Sequence, residues 1–269
     1  INQAIYFEPI RLEYEHLLDS LIDKWVAQGR LVLPLPEGSF FDKLRFCYVA
    51  GCDWFQPMDI SLPGDTILHD TPMHFSEATF KLLNCPDILD LVEQLIGSEI
   101  TSNPIQHVRL KPPISILKDD EVRAHISRTD WHQDKGVVLP EADLTNMITV
   151  WIAVTDATEE NGCLSVIPKN KINVGLLPHC KNKQTSIADN FIDKLHTKQL
   201  PVKSGGIVIL HPLTPHSSLD NITQNFRWSF DIRYNRTGEP TGRPHFPSFV
   251  CRSWLNPDSV LEDWCEWKR

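Results

Sequence analysis

The segment Phe226-Arg227-Trp228-Ser229-Phe230-Asp231-Ile232-Arg233-Tyr234 constrains this chain more than any other. Apolar and polar residues alternate along its whole length. A period of two marks an extended strand whose side chains go alternately to opposite faces. One face is aromatic and aliphatic, and the other carries Arg227, Ser229, Asp231 and Arg233. A polar face on so aromatic a strand lines a cavity, or else it forms a sheet surface in solvent. From this strand alone the two readings weigh equally.

Other short runs of the same kind follow residue 98. Gln106–Leu110, Ile148–Asp156, Cys163–Ile167 and Gly206–Leu210 are rich in Val, Ile and aromatics and are separated by turn residues. Thr149-Val-Trp-Ile-Ala-Val-Thr155 alternates as a half-buried strand does. The first 100 residues read differently. Positions 11–29 place Leu12, Leu17, Leu18, Leu21, Ile22 and Trp25 at helical spacing, with Gly29 as a stop. Residues 33–72 read as irregular, and 76–97 as two short helices broken near Pro86. The expectation is a mainly β, sandwich- or barrel-class core with flanking α-helices. It divides into a helical layer over 1–100, a core over 101–235 and a C-terminal extension over 236–269. Within the core, 181–200 is polar, carries a helical pattern at Ile187–His196, and reads as a flap.

Composition narrows the function. With 269 residues, 41% hydrophobic and 23% charged, the chain has ordinary globular composition. Its net charge of −9 disfavours nucleic acid as a partner. The densest basic stretch, Lys181-Asn182-Lys183, is too short to offset that. No apolar run is long enough to span a bilayer, so no membrane partner is expected. Seven cysteines at irregular spacing, with no CxxC pair, argue against a disulfide scaffold or a Cys-rich zinc site. The expected setting is intracellular and cytoplasmic, and the expected partner is a small molecule.

Among 11 histidines, one arrangement points to chemistry. Trp131-His132-Gln133-Asp134 holds an H-x-D pair, and on an extended segment those two side chains point the same way. A distant histidine would complete a 2-His-1-carboxylate triad, which leaves coordination positions open on non-heme Fe(II). His211 and His216 compete for that place. Arg227 lies further on in the alternating strand, and a buried guanidinium fork suits a carboxylate better than Lys does. With Ser229 on the same face, it can hold the distal carboxylate of a dicarboxylic co-substrate. Asn161-Gly162 reads as a turn, and Trp151 as a core residue.

These segments carry a resemblance. Trp131–Asp134, Thr149–Pro168, Gly205–Leu210 and His216–Asn221 followed by Arg227 resemble the phytanoyl-CoA dioxygenase family of Fe(II)/2-oxoglutarate-dependent oxygenases. The resemblance spans roughly residues 103–235, about half of the chain. It implies a double-stranded β-helix (jelly-roll, cupin-like) core. It implies His132, Asp134 and His216 as iron ligands and Arg227 as the 2-oxoglutarate anchor. Lys111, in Val108-Arg-Leu-Lys-Pro-Pro113, matches a lysine of the family. The implied reaction consumes 2-oxoglutarate and O₂, releases succinate and CO₂, and oxidises an unactivated C–H bond, most simply by hydroxylation. Asp134 points away from halogenation, which needs a small residue in its place.

Two segments depart from the family pattern. Pro168 is followed by Lys169-Asn170-Lys171 where Gly-Ser-His is usual, and Lys135–Glu141 lacks the usual aromatic run. Both put the acyl-CoA substrate in doubt more than the chemistry. For substrate contact the candidates are Arg109, Trp131, Gln133 and Arg252. Two other functions compete: a metal-dependent cupin-like dioxygenase or isomerase that does without 2-oxoglutarate, and a non-catalytic ligand-binding jelly roll.

Overall fold

In the computed structural model the alternating segment is strand β10, Arg227–Arg236, and it organises everything else. The structure describes residues 1–55, 76–121, 123, 126–168, 175–181, 184–192, 194–244 and 246–267. Among the described residues four α-helices come first: α1 Gln3–Ala27, α2 Phe40–Val49, α3 Glu77–Leu83 and α4 Pro86–Ile96. Eleven strands follow among the described residues. They are β1 Ile100–Ser102, β2 His107–Lys111, β3 Met147–Ala153, β4 Leu164–Val166, β5 His179–Lys181, β6 Thr185–Ile187, β7 Lys198–Leu200, β8 Ile207–Leu210, β9 His216–Ser218, β10, and β11 Phe249–Arg252.

β10 is the hub of a six-stranded antiparallel sheet. β3 runs along one of its edges, from Ser229↔Ala153 to Asn235↔Met147. The other edge is shared. β2 takes the first half, with Arg227↔Lys111, Ser229↔Arg109 and Asp231↔His107. β1 takes the far end, with Ser102↔Tyr234 through Ile100↔Arg236. β8 joins beyond β3, and β11 beyond β1. A second antiparallel sheet, β7-β4-β9, faces the polar side of the first, and β5 and β6 form a separate pair. Two facing antiparallel sheets with helices packed outside make this a jelly-roll core.

The aromatic face of β10 is dry because the helices cover it. Along α1, Phe7, Ile10, Tyr14, Leu18, Ile22 and Trp25 are buried at intervals of three and four, one stripe of a helix surface. Tyr14 stacks on Trp228 with ring centroids 5.5 Å apart. Trp228, Phe230, Ile232 and Tyr234 join one core cluster with α1 to α4. The polar face is buried too: Arg227, Ser229, Asp231 and Arg233 are all 9% exposed or less. It lines a cavity and is not a solvent surface.

Several expectations for local structure are corrected. α1 reaches back to Gln3, where the Asn2 side chain accepts a hydrogen bond from the Ile5 amide. The stretch 33–72, read as irregular, contains α2, held by a capping box in which Ser39 and Asp42 satisfy each other's amides; its residues 56–72 lie outside the described residues. The helical pattern at Ile187–His196 gives two 3₁₀ turns, Asp189–Phe191 and Lys194–His196, preceded by the β5–β6 pair. Three-residue polar strands carry too few positions for an alternation to show. α3 and α4 fall where two helices broken near Pro86 were expected, with Pro86 at the first turn of α4. Cys47, Cys52, Cys85, Cys163, Cys180 and Cys251 form no disulfide among the described residues. No helix among the described residues is long and apolar enough to cross a membrane.

Candidate metal centre and its cavity

His132 and His216 come from distant segments joined by one antiparallel bridge. Each residue's amide donates to the other's carbonyl at 2.9 Å. The bridge sets the two imidazoles side by side, with ring centroids 4.1 Å apart. The Nδ1 of His132 lies 2.9 Å from the Asp130 carbonyl, and the Nδ1 of His216 lies 3.0 Å from that of Thr214. A carbonyl only accepts, so each Nδ1 carries the proton and each Nε2 presents a lone pair. Two residues beyond His132, Asp134 brings Oδ1 to 3.8 Å from the His132 Nε2. The potential ligand atoms of His132, Asp134 and His216 all lie within 4.8 Å of one another. The structure thus selects His216 over His211, whose Nδ1 accepts from the Leu213 amide on the exposed side.

The carboxylate is held from behind. Arg233 donates to Asp134 Oδ1 at 2.8 Å, and Thr149 donates to Oδ2 at 2.6 Å. Burial alone would push the Asp134 carboxyl up. Arg233, the two histidines and the Thr149 hydroxyl outweigh that and hold it well below the usual carboxylate range. Burial, reinforced by His216, pushes His132 down to about 3, so its imidazole is neutral near pH 7. Two imidazoles and one charged carboxylate, already oriented, fit a divalent transition metal that accepts mixed N and O donors.

The triad opens on a cavity between the two sheets, with about 400 Å³ of empty space including its mouth. Trp151, Leu164 and Leu210 give it apolar walls. Its charge comes from β2 and β10. Arg227 is 2% exposed, donates to the Ser229 hydroxyl, and sits with its guanidinium carbon 5.5 Å from the Trp151 ring centroid. Its Nε has no hydrogen-bond partner among the described residues. Burial, then the nearby Arg109, brings Arg227 down to about 9 against the smaller opposing effects of Cys163 and Asp231. Lys111, across the ladder from it, donates to the Ser218 hydroxyl at 2.6 Å and the Leu219 carbonyl at 2.8 Å. Burial, then Arg227 and Arg109, hold Lys111 well below its ordinary value. A buried cation pair with an unsatisfied N–H fits the carboxylate end of a small dianion.

The candidate substrate contacts divide. Arg109 lines the cavity. Trp131 does not; it packs on Ile167, Leu177, Ile187 and Ile192. Gln133 is fully buried and turned away from the triad. Its Nε2 donates to the Gly175 and Leu213 carbonyls and its Oε1 accepts from the Leu177 amide. Arg252 is tied to Asp90 at 2.8 Å and Glu93 at 2.6 Å on α4, outside the cavity, where an acidic helix draws it. Trp151 belongs both to a core cluster and to the cavity wall. Gly162 takes φ +92 in the turn expected there, and a Cβ on it would lie 2.9 Å from the Lys111 side chain. Lys169-Asn170-Lys171 lies outside the described residues.

Sequence reasoning missed Thr149 and Ser218 as parts of the site. Asp231 and Arg233 were visible only as members of a polar face. That alternation was the signal for Asp231 and Arg233; the Thr149 pairing needs the tertiary fold.

Comparison with known proteins supports this picture. The model of the phytanoyl-CoA dioxygenase (PhyH) family matches residues 59–229, more than half of the chain. An L-proline trans-4-hydroxylase from Streptomyces griseoviridis is 26% identical over 199 residues, covering 65% of this chain and 69% of that protein. A probable phytanoyl-CoA dioxygenase from Caenorhabditis elegans is 28% identical over 165 residues, covering 58% of this chain and 50% of that protein. The chain thus spans roughly half to two thirds of these relatives. The solved apo structure of the non-heme monooxygenase ThoJ shares the fold, with a TM-score of 0.53 at 21% identity over 70% of this chain and 65% of that one. By the family match over its central strands and the triad they carry, this chain belongs to the phytanoyl-CoA dioxygenase family.

Proposed function

We propose that the protein is an Fe(II)- and 2-oxoglutarate-dependent dioxygenase that hydroxylates an unactivated C–H bond of a small molecule, releasing succinate and CO₂. One observation carries this reading: three converging metal-ligand side chains share a cavity with a buried, under-partnered Arg227. When bound, Fe(II) supplies the open positions and electrons through which 2-oxoglutarate and O₂ yield an oxidised C–H bond, succinate and CO₂. His132, Asp134 and His216 hold the ion by Nε2, a carboxylate oxygen and Nε2. Arg233 and Thr149 fix the carboxylate so that it need not reorient. Arg227, supported by Ser229 and Lys111, receives the distal carboxylate of 2-oxoglutarate. Trp151, Leu164 and Leu210 keep bulk water from the reacting carbon.

The net charge of −9 and the narrow cavity support a small molecule over a nucleic acid. The relative named for L-proline hydroxylation supports a small polar substrate. The test is direct. The purified chain with Fe(II) should convert 2-oxoglutarate to succinate slowly without added substrate. His132→Ala should abolish that conversion. Anaerobic addition of 2-oxoglutarate to the Fe(II) form should give a weak visible charge-transfer band; no band and no succinate would refute the proposal.

A further inference from the structure

One charged pair in the cavity is left over once the metal and the co-substrate have their residues. Arg109 on β2 and Asp231 on β10 both line the cavity, and their side chains are 12% and 13% exposed. They touch through one long contact, Arg109 Nη2 to Asp231 Oδ2 at 3.4 Å. On the same sheet face Arg233 and Asp134 close to 2.8 Å. A purely structural Arg–carboxylate pair in a buried place closes to short, often twofold contacts. This one does not. Arg109 Nη1 and Asp231 Oδ1 are both buried, and neither has a hydrogen-bond partner among the described residues. Arg233 Nη2 comes no nearer to that Oδ1 than 4.0 Å.

Asp231 remains charged. Burial works against that, but Arg233, His107 and Arg109 prevail over it and over the like charge of Asp134, and the carboxyl lies below its ordinary value. Beside the cavity that its two residues line, the pair therefore keeps one N–H without an acceptor and one carboxylate oxygen without a donor among the described residues. A buried charge left without a partner is costly, so the complement is a ligand bearing both charges close together. In an α-amino acid the ammonium and carboxylate groups sit on one carbon. They can address two side chains that already touch. A plain acid leaves Asp231 unserved, and a plain amine leaves Arg109 unserved.

Position agrees with chemistry. In the β2–β10 ladder Lys111 faces Arg227, and Arg109 faces Ser229 one alternate step on. Asp231 follows on the same face, and then Arg233, which holds Asp134. Arg109 and Asp231 thus lie between the 2-oxoglutarate end and the metal end.

We propose that Arg109 and Asp231 form a clamp for a zwitterion, and that the substrate is a free α-amino acid, its carboxylate on Arg109 and its ammonium on Asp231. This rests on the proposed 2-oxoglutarate oxygenase function and adds no chemical step to it.

The test uses the full chain with Fe(II) and 2-oxoglutarate. Succinate release above the substrate-free rate is measured with the proteinogenic L-amino acids, each also as its N-acetyl and carboxamide derivative. At least one free amino acid should stimulate release. Blocking either end should lower kcat/KM about a hundredfold or more, the cost of leaving a buried charge unpaired. Asp231→Asn should shrink the preference for the free over the N-acetyl form to within about tenfold, which a merely structural role would not do. Three results would overturn the clamp. One is substrate-free succinate release with no response to any free amino acid. Another is equal use of free and blocked forms. The third is an Arg109→Gln variant whose KM for 2-oxoglutarate rises while its preference for the free acid over the amide is kept, which would assign Arg109 to the co-substrate. Absence of both succinate and the charge-transfer band would instead remove the underlying function, and the clamp with it.

Discussion

Thr149→Val removes one oxygen from behind the metal-facing carboxylate and changes little else. Thr149 is 2% exposed, and its hydroxyl donates to Asp134 Oδ2 at 2.6 Å. Valine has nearly the same shape and no donor. A hydrogen bond to a charged acceptor contributes about 1.5–3 kcal/mol. The methyl that replaces the hydroxyl offsets about 0.8 kcal/mol of that by apolar burial. The metal-free protein should therefore lose about 1–2 kcal/mol, or roughly 2–8 °C in Tm for a chain of this size. The metal form should suffer more specifically. With its carboxylate no longer fixed, affinity should fall tenfold to a hundredfold. The bond also helps hold the Asp134 carboxyl down, so its loss lets a proton compete with metal at higher pH. The deficit should widen as the solution is acidified. Co(II) titration followed by visible absorbance, with thermal unfolding of the same samples, measures both quantities. Thr149→Ser keeps the donor and should keep most of the affinity. If the valine variant binds Co(II) within about twofold of wild type at pH 7 and pH 6, the hydroxyl does not position the ligand and the reasoning fails.

Three further outcomes are expected. Burial and His216 lower His132 to about 3 from 6.5, so between those values the unfolded chain takes up the proton that the folded chain refuses. Metal-free stability should therefore fall as pH falls through that window, and the slope should be shallower in His132→Gln; parallel urea-unfolding midpoints from pH 7 to 4 would contradict this. Gly162→Ala places a Cβ 2.6 Å from the Leu219 carbonyl and 2.9 Å from Lys111 at φ +92. It should cost about 1–3 kcal/mol in denaturant unfolding and weaken 2-oxoglutarate binding by displacing Lys111. Arg227→Met should raise the 2-oxoglutarate Kd about thirtyfold or more in anaerobic titration, and Arg227→Lys should recover only part of that, because the fork is lost.

The alternation of β10 was legible because its two faces meet different media, helices on one side and a charged cavity on the other. The same holds for β3, and the α3–α4 break shows in Pro86. α2 was not legible because Phe40-Phe41 and Phe46 read as an aromatic loop; the local sign was the Ser39–Asp42 capping box. The β5–β6 pair was hidden by its shortness. At the site, the spacing of His132 and Asp134 stands in the chain itself, whereas what brings His216 rather than His211 beside them is the bridge between residues 132 and 216, which no local pattern shows. Arg252 was misplaced because its partners, Asp90 and Glu93, lie far away in sequence. Long-range ion pairs leave no local period to read.

The bridge between His132 and His216 bears on how the protein folds. Two of the proposed ligands belong to segments about 80 residues apart, so the site cannot form until that long loop has closed. Closure of this kind carries a large entropic cost and tends to come late in folding. A fluctuating or partly collapsed chain would hold at most the His132–Asp134 half. Metal uptake in a stopped-flow refolding experiment would then report arrival at the native topology rather than growth of secondary structure. By mass action, the same ion would favour the finished fold over its precursors.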